Sequence, residues 1–248
     1  MKCPSKLTTR LTVTPDMCGR DPYLAPTAVF TMFQNVAGEH AEAIGNGAAA
    51  LHERDLYWLT VHTRIDFHDK ARLMEEVSAS TWVNPAKPIA VRGFRSYDLR
   101  AGDRLIAEGI TEWAAINTKT GKLAHFSEFG YPDDFEFSDY VACGGKINRF
   151  RDEFADDDLS YEFTVRASSI DIGHHMNNVV YVRALLDCFS SKEIAHMPIK
   201  TMQSRYIAAC MEGETLGMYK KRTESGWLLG ARRSDGKIAV YLSIELGE

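Results

Sequence analysis

This 248-residue chain lacks the sequence signs of covalent cross-linking and of membrane insertion. Its five cysteines are odd in number, irregularly spaced and without a C-x-x-C pair, which argues against a disulfide framework and a zinc ribbon. Free thiols of this kind are typical of a reducing compartment, so we expect a cytoplasmic protein. No run of about 18 apolar residues occurs and the N-terminal residues form no secretory h-region, so we expect no membrane partner.

Several signatures of catalysis and nucleotide binding are missing too. The sequence contains no Walker A loop, no H-E-x-x-H zinc motif and no G-x-S-x-G nucleophile elbow. The segment Gly45-Asn46-Gly47 begins a G-x-G-x-x-A pattern, but it follows a predicted helix, so we interpret it as a helix C-cap and loop. A net charge of −5 gives no indication of nucleic-acid binding, which favours a basic domain.

One pattern of elements is present twice, about 155 residues apart. The first copy predicts a strand, a turn and a buried helix at residues 8–15, 16–20 and 26–44. The second copy predicts the same three elements at residues 161–170, 171–175 and 177–195. Alternating apolar and polar residues then predict further strands, at 57–67, 77–83, 89–97, 105–116, 199–207, 215–221, 227–232 and 237–246.

The repeat predicts an α+β fold in which a long buried helix is wrapped by an antiparallel β-sheet, once in each half. We place the first domain at residues 1–125 and the second at residues 158–248. Between them, residues 126–157 lose the alternating pattern and predict a linker that wraps the surface.

The segment from Ser169 to Tyr181, SIDIGHHMNNVVY, carries the candidate chemistry because it joins a predicted strand to the start of a buried helix. Backbone amides at a helix start can polarise a carbonyl group, a carboxylate can activate water, and an imidazole can relay a proton. A purely structural interpretation stays open, in which Asp171 is a turn residue, an asparagine caps the helix, and the histidines are exposed.

This segment resembles the active-site loop of acyl-ACP thioesterases of the plant and bacterial type, D-x-N-x-H-x-N-N-x-x-Y. The residues that match in register are Asp171, His175, Asn177, Asn178 and Tyr181. The resemblance extends over nearly the whole chain and implies two hot-dog domains in tandem. It also implies hydrolysis of a fatty acyl thioester on acyl carrier protein, without a cofactor or metal, and it is compatible with a homodimer.

Two family residues are replaced in this chain. The family's asparagine falls on Gly173, and its acidic residue before a late cysteine falls on Ala209, while Cys210 matches the cysteine. The resemblance therefore assigns catalysis to Asp171, His175 and Cys210, although Cys210 also fits an ordinary buried thiol.

We place substrate binding at four residues of the loop and the helix start: Gly173, His174, Asn177 and Asn178. His174 is our candidate for replacing the lost amide, since one imidazole nitrogen can donate a hydrogen bond. In the first half we place Asp16 at the position of Asp171, with no histidine after it, and interpret that half as support for the acyl pocket.

Two alternatives to an acyl-ACP thioesterase stay open. The first is an acyl-CoA thioesterase, and the second is a binding module that kept the acyl pocket and lost turnover, which the changes at Gly173 and Ala209 favour. The basic runs at residues 220–222 and 232–233 fit either a solvated strand face or a docking patch for an acidic carrier protein.

Overall fold

A computed structural model describes residues 4–148, 150 and 154–247. Contacts divide the chain into two compact units, of which the first comprises Met1–Cys18 and Pro22–Lys146 and the second Gly19–Asp21 and Ile147–Glu248. In the described part of the chain, no helix is long and apolar enough to cross a membrane.

The first unit is a five-stranded antiparallel sheet that packs against one long helix. Its helices α1 and α2 span Pro26–Ala43 and Ala48–Glu53, and its strands β1 to β5 span Lys6–Thr12, Leu56–Phe67, Glu76–Val83, Gly93–Ala101 and Arg104–Asn117. The strand order is β1-β3-β4-β5-β2. Helix α1 packs against β1, β3 and β4, and its Phe33 stacks on Tyr97 of β4 with ring centroids 4.8 Å apart.

The second unit repeats this topology. Its helices α3 and α4 span Asn178–Leu186 and Ser191–His196, and its strands β6 to β10 span Leu159–Thr164, Ile199–Tyr206, Thr215–Arg222, Gly226–Arg232 and Ile238–Leu246. The strand order β6-β8-β9-β10-β7 corresponds strand by strand to that of the first unit. Helix α3 packs against β8, β9 and β10. The predicted fold, a helix on an antiparallel sheet in each half, is confirmed.

Corresponding residues of the two copies are 152 residues apart in the structure, so the predicted spacing of 155 residues is wrong. Short 3-10 helices at Pro15–Met17 and Ala167–Ser169 are separated by this distance, as are the starts of α1 and α3. The isolated strand bridge between Cys18 and Leu24 likewise corresponds to the bridge between Ile170 and Met176.

This distance changes which residue of the first unit corresponds to Asp171. Counted back by 152 residues, Asp171 corresponds to Gly19 and His175 corresponds to Tyr23. Asp16, which we had placed at the position of Asp171, instead lies inside the 3-10 helix and accepts a hydrogen bond from Thr14 Oγ1 at 2.6 Å. At the two positions that correspond to Asp171 and His175, the first half of the chain therefore has neither a carboxylate nor an imidazole.

Several predicted elements differ in extent, among them the first strand, predicted at residues 8–15 and observed at Lys6–Thr12. The helix predicted over residues 177–195 is broken after Leu186, because Ser190 caps a new helix in a reciprocal capping box with Glu193. The strand predicted to reach residue 170 ends at Thr164, and the one predicted from residue 89 begins at Gly93, after the turn in which the Ala90 amide bonds to the Lys87 carbonyl.

The segment predicted as a linker packs on both units, and the division between units falls within it, after Lys146. In its first part, Phe126, Phe129 and Phe135 belong to a buried cluster of the first unit. Phe154 is buried in the second unit, in a cluster that includes Tyr219. Residues 149 and 151–153 of this segment lie outside the described residues.

Candidate functional site

The predicted catalytic loop of the second unit is a closed turn. Ile170 and Met176 form an antiparallel bridge at its base. Inside it, the Asp171 amide donates to the His175 carbonyl at 3.1 Å, and the His174 amide donates to the Asp171 carbonyl at 3.0 Å. The loop backbone is therefore held by its own hydrogen bonds, which places the side chains of Asp171 and His175 on a defined frame.

Asp171 is oriented by two donors. Its Oδ1 accepts from the Gly173 amide at 2.8 Å, and its Oδ2 accepts from Asn177 Nδ2 at 3.1 Å. The side chain is 27% exposed, so the carboxylate stays accessible to water. Because an ionised carboxylate has about four acceptor positions, it can still bind a water molecule while both donors hold it.

His175 lies beside this carboxylate with its side chain 20% exposed. Its Nδ1 is 4.0 Å from Asp171 Oδ1 and 3.2 Å from the Met176 carbonyl oxygen. Because a carbonyl only accepts hydrogen bonds, this contact places the proton of the neutral ring on Nδ1 and makes Nε2 the acceptor. The ring can then bind a donor such as water through Nε2.

Asn177 connects the loop to the helix. Its Oδ1 accepts from the Val179 amide at 2.8 Å as the N-cap of α3, and its Nδ2 is the donor to Asp171. Its carbonyl accepts from the Val180 amide at 3.0 Å. The predicted use of backbone amides at the helix start to polarise a substrate carbonyl is thus disfavoured for Val179 and Val180, whose amides are already engaged. The Asn178 carbonyl accepts from Tyr206 Oη at 3.2 Å.

The remaining predicted binding residue, His174, is exposed, and its backbone is left-handed with φ of 61°. Ala209 is exposed as well, so at this position the structure has a methyl group where the family has a carboxylate. The exposure of His174 disfavours the prediction that its imidazole replaces the lost asparagine amide. That replacement stays a prediction.

Cys210 is fully buried, and burial raises the pKa of its thiol. Its amide donates to Tyr181 Oη at 2.8 Å, while its carbonyl accepts from the Met176 amide at 2.9 Å. A nucleophilic cysteine needs a lowered pKa, so these surroundings disfavour the predicted catalytic role. Cys210 instead ties the loop and α3 to the chain after β7, a connection that the match at Tyr181 alone did not indicate.

The basic runs are largely held by neighbouring groups. Lys220 Nζ donates to the Cys188 carbonyl at 2.7 Å and lies 4.6 Å from the centroid of the Phe189 ring. Arg232 lies over the Tyr219 ring at 4.2 Å, and Arg233 is 3.4 Å from the Glu214 carboxylate. These contacts favour a packed strand face over a carrier-protein docking patch.

One set of metal-ligating side chains occurs among the described residues, in the first unit. Asp66, Glu108 and Cys143 have ligand atoms within 4.8 Å of one another. Arg64 holds Asp66 at 2.9 Å and Tyr140 Oη donates to Glu108 at 3.1 Å, so this set is a hydrogen-bonded network in its own right.

Comparison with known proteins places this geometry in a family. Residues 4–128 match the N-terminal domain of acyl-ACP thioesterases, and residues 153–245 match the C-terminal domain of the same proteins. The chain belongs to the acyl-ACP thioesterase family. The predicted catalytic loop lies within the C-terminal domain of the family.

Individual relatives are distant in sequence. The chain is 21% identical over 211 residues to the chloroplastic oleoyl-acyl carrier protein thioesterase of Coriandrum sativum, which covers 76% of this chain and 55% of the relative. It spans about half the length of the curated relatives it matches.

Two solved structures show the fold. An acyl-ACP thioesterase from Bacteroides thetaiotaomicron has a TM-score of 0.84 at 21% identity, covering 97% of both chains. The 12:0-ACP thioesterase from Umbellularia californica has a TM-score of 0.83 at 17% identity, covering 98% of this chain and 97% of that one. The predicted hot-dog architecture is confirmed.

Proposed function

We propose that this protein hydrolyses the thioester between a fatty acyl chain and acyl carrier protein, releasing a free fatty acid. The observation that carries the proposal is the accessible Asp171 carboxylate, held by Gly173 and Asn177 with the His175 ring beside it. In this arrangement the carboxylate can accept a proton from water, and the neighbouring imidazole can accept a hydrogen bond from water. Attack of water on an acyl group is assisted by such a positioned proton acceptor.

In the proposed reaction Asp171 takes a proton from water while the water oxygen bonds to the thioester carbonyl carbon. The carbon–sulfur bond then breaks, and the proton passes to the departing thiolate, so the products are a carboxylic acid and a thiol. His175 orients the attacking water through Nε2, a role that its Nδ1 contact with the Met176 carbonyl supports.

A matched pair of aspartate variants tests the assignment. Asp171→Asn preserves the shape of the side chain and removes the base, so we expect kcat on acyl-ACP to fall by about 10²–10⁴. Asp16→Asn is the control, because Asp16 lies in the 3-10 helix before the corresponding loop and accepts a local hydrogen bond from Thr14. Equal turnover in a folded Asp171→Asn protein and the wild type refutes the assignment.

The replaced family residues favour a second candidate, a binding module without turnover. Gly173 has no side chain to act as donor, and the exposed Ala209 has no carboxylate. Panels of acyl-ACP and acyl-CoA substrates distinguish the candidates. Hydrolysis of acyl-ACP supports the proposal, and a preference for acyl-CoA favours an acyl-CoA thioesterase. Tight binding without product favours the non-catalytic binding module.

The same panels test the predicted donor at His174. If its imidazole replaces the lost amide, His174→Ala lowers kcat strongly while Gly173→Asn has little effect. Because the ring is exposed, we expect the opposite result, in which His174→Ala is nearly silent and Gly173→Asn raises kcat.

A further inference from the structure

Arg95, on strand β4 of the first unit, is a buried cation. The residue is 8% exposed, and its Nη1 donates to His40 Nδ1 at 2.7 Å and to Thr81 Oγ1 at 3.4 Å. Both partners come from elements that enclose it, His40 from α1 and Thr81 from β3. The guanidinium is therefore held inside the unit at a defined place.

Neither hydrogen-bond partner neutralises this charge. His40 is fully buried, and its Nε2 is 2.7 Å from the Pro4 carbonyl oxygen. That contact places the ring proton on Nε2, so Nδ1 faces Arg95 as a neutral acceptor. Burial and the charge of Arg95 lower the pKa of His40 to about 4, which keeps the ring neutral near pH 7.

No carboxylate compensates Arg95 in residues 4–148, 150 and 154–247, where it forms no ion pair. Apart from His40, the ionisable groups that influence it are the phenols of Tyr97 and Tyr131, and burial raises the pKa of Tyr131 to about 12. Other enclosed arginines differ: Arg64, with a side chain 13% exposed, pairs with Asp66, and Arg232, at 17%, lies 3.9 Å from Asp156.

A charge inside a protein without an opposite charge beside it carries a large desolvation penalty. A planar guanidinium offers five N–H donors in a fork that fits a carboxylate. In Arg95 the hydrogen bonds to described residues leave from Nη1, so the Nε and Nη2 edge is the one that faces no described acceptor.

The surroundings of this cation are aromatic. The Phe135 ring lies 6.1 Å from the His40 ring, and Tyr131 stacks on Phe135 at 5.1 Å. These rings also contact Phe126 and Phe137, so they form an apolar surface that contributes no second charge. An apolar site with a single guanidinium favours a monoanion over a phosphate, because a phosphate carries roughly two negative charges.

We propose that the interior of the first unit contains an anion site at Arg95, and that its ligand is a carboxylate. Two sources share this chemistry, a small free carboxylate and the carboxylate of a fatty acid whose chain packs against Tyr131 and Phe135. The inference does not depend on thioester hydrolysis, because it rests on the unpaired cation alone.

Thermal unfolding at constant ionic strength, maintained with a bulky sulfonate, tests the site. At about ten times its Kd, acetate should raise the Tm of the wild type by about 3–6 °C. Arg95→Met should abolish this rise, whereas Arg232→Met should preserve it, because that arginine already has a carboxylate nearby. Equal shifts in the wild type and Arg95→Met, or no shift in the wild type, overturn the proposal.

Decanoate distinguishes the two sources of the carboxylate. If the ligand is a fatty acid, decanoate shifts the Tm at lower concentration than acetate does, and only when Arg95 is present. If acetate alone shifts the Tm, the ligand is a small anion. Should Arg95→Met fail to fold, Arg95→Lys keeps the charge but lacks the planar fork, and the proposal then requires weaker acetate binding in that variant.

Discussion

The buried His40 should make this protein lose stability in mild acid. Its ring has an ordinary pKa of 6.5, which burial, followed by the charge of Arg95, lowers to about 4 in the folded state. Between these two values the unfolded chain takes up a proton that the folded protein excludes. The free energy of unfolding should therefore have its full value above pH 6.5 and decrease as the pH falls below that. The decrease due to His40 should end below about pH 4.

The size of the loss follows from the two pKa values. At about 1.4 kcal/mol per pKa unit the interval corresponds to about 3 kcal/mol. We therefore expect a measured loss of about 2–3 kcal/mol. A loss of this size is a large part of the stability of an ordinary domain, about 5–15 kcal/mol.

Urea unfolding at a series of pH values measures this loss, with His40→Gln as the perturbation. Glutamine keeps a donor for the Pro4 carbonyl but does not titrate, so the variant should be less stable at neutral pH and less dependent on pH below it. His196→Gln is the control, because His196 is exposed. Carboxylates titrate in both proteins, and the difference between the curves isolates His40. A difference that is constant from pH about 4 to about 7 refutes the reasoning.

Other contacts make further predictions, each measured by chemical denaturation. Tyr181→Phe leaves the buried Cys210 amide without its acceptor and should lower stability by about 1–3 kcal/mol, whereas Tyr161→Phe removes only a donor to a carbonyl and should have a smaller effect. Gly226→Ala places a Cβ 1.9 Å from the Ile244 carbonyl oxygen and should lower stability by about 2–3 kcal/mol or prevent folding. Gly38→Ala has open space inside α1 and should raise stability by about 0.5–1 kcal/mol, so a loss there contradicts the helix assignment.

Local periodicity in the sequence predicted most of the strands, helix α1 and the fold class. The alternation from Leu56 to Phe67 predicts β2 within a residue, because a strand buried on one face must place apolar side chains at every second position. Helix α1 was predicted equally well, since its apolar surface extends over many turns. The break between α3 and α4 was missed because the spacing of apolar residues does not show where the chain leaves a helix. Ser190 can cap α4 only after the chain has left α3.

The sequence located the candidate loop, and the tertiary structure determined how its residues are positioned. The short loop motif and its family resemblance identified Asp171 and His175 as candidate site residues, because the two are close together in the sequence. The donors to Asp171 and the hydrogen bond from the Cys210 amide to Tyr181 depend on where the backbone turns and where another strand ends. A catalytic thiol and a buried thiol look alike in sequence, and only the folded chain shows that Cys210 is buried, which disfavours the catalytic role.

The pairing of Arg95 with His40 shows what only the folded chain could decide. The two residues are 55 positions apart, on a strand and a helix, and each alone reads as an ordinary polar residue. Their sequence determined the kinds of group available, a permanent cation and an imidazole. Burial keeps the imidazole neutral, and packing leaves the cation without a carboxylate partner among the described residues, because charge stability depends on solvent exposure and on neighbours brought together by packing.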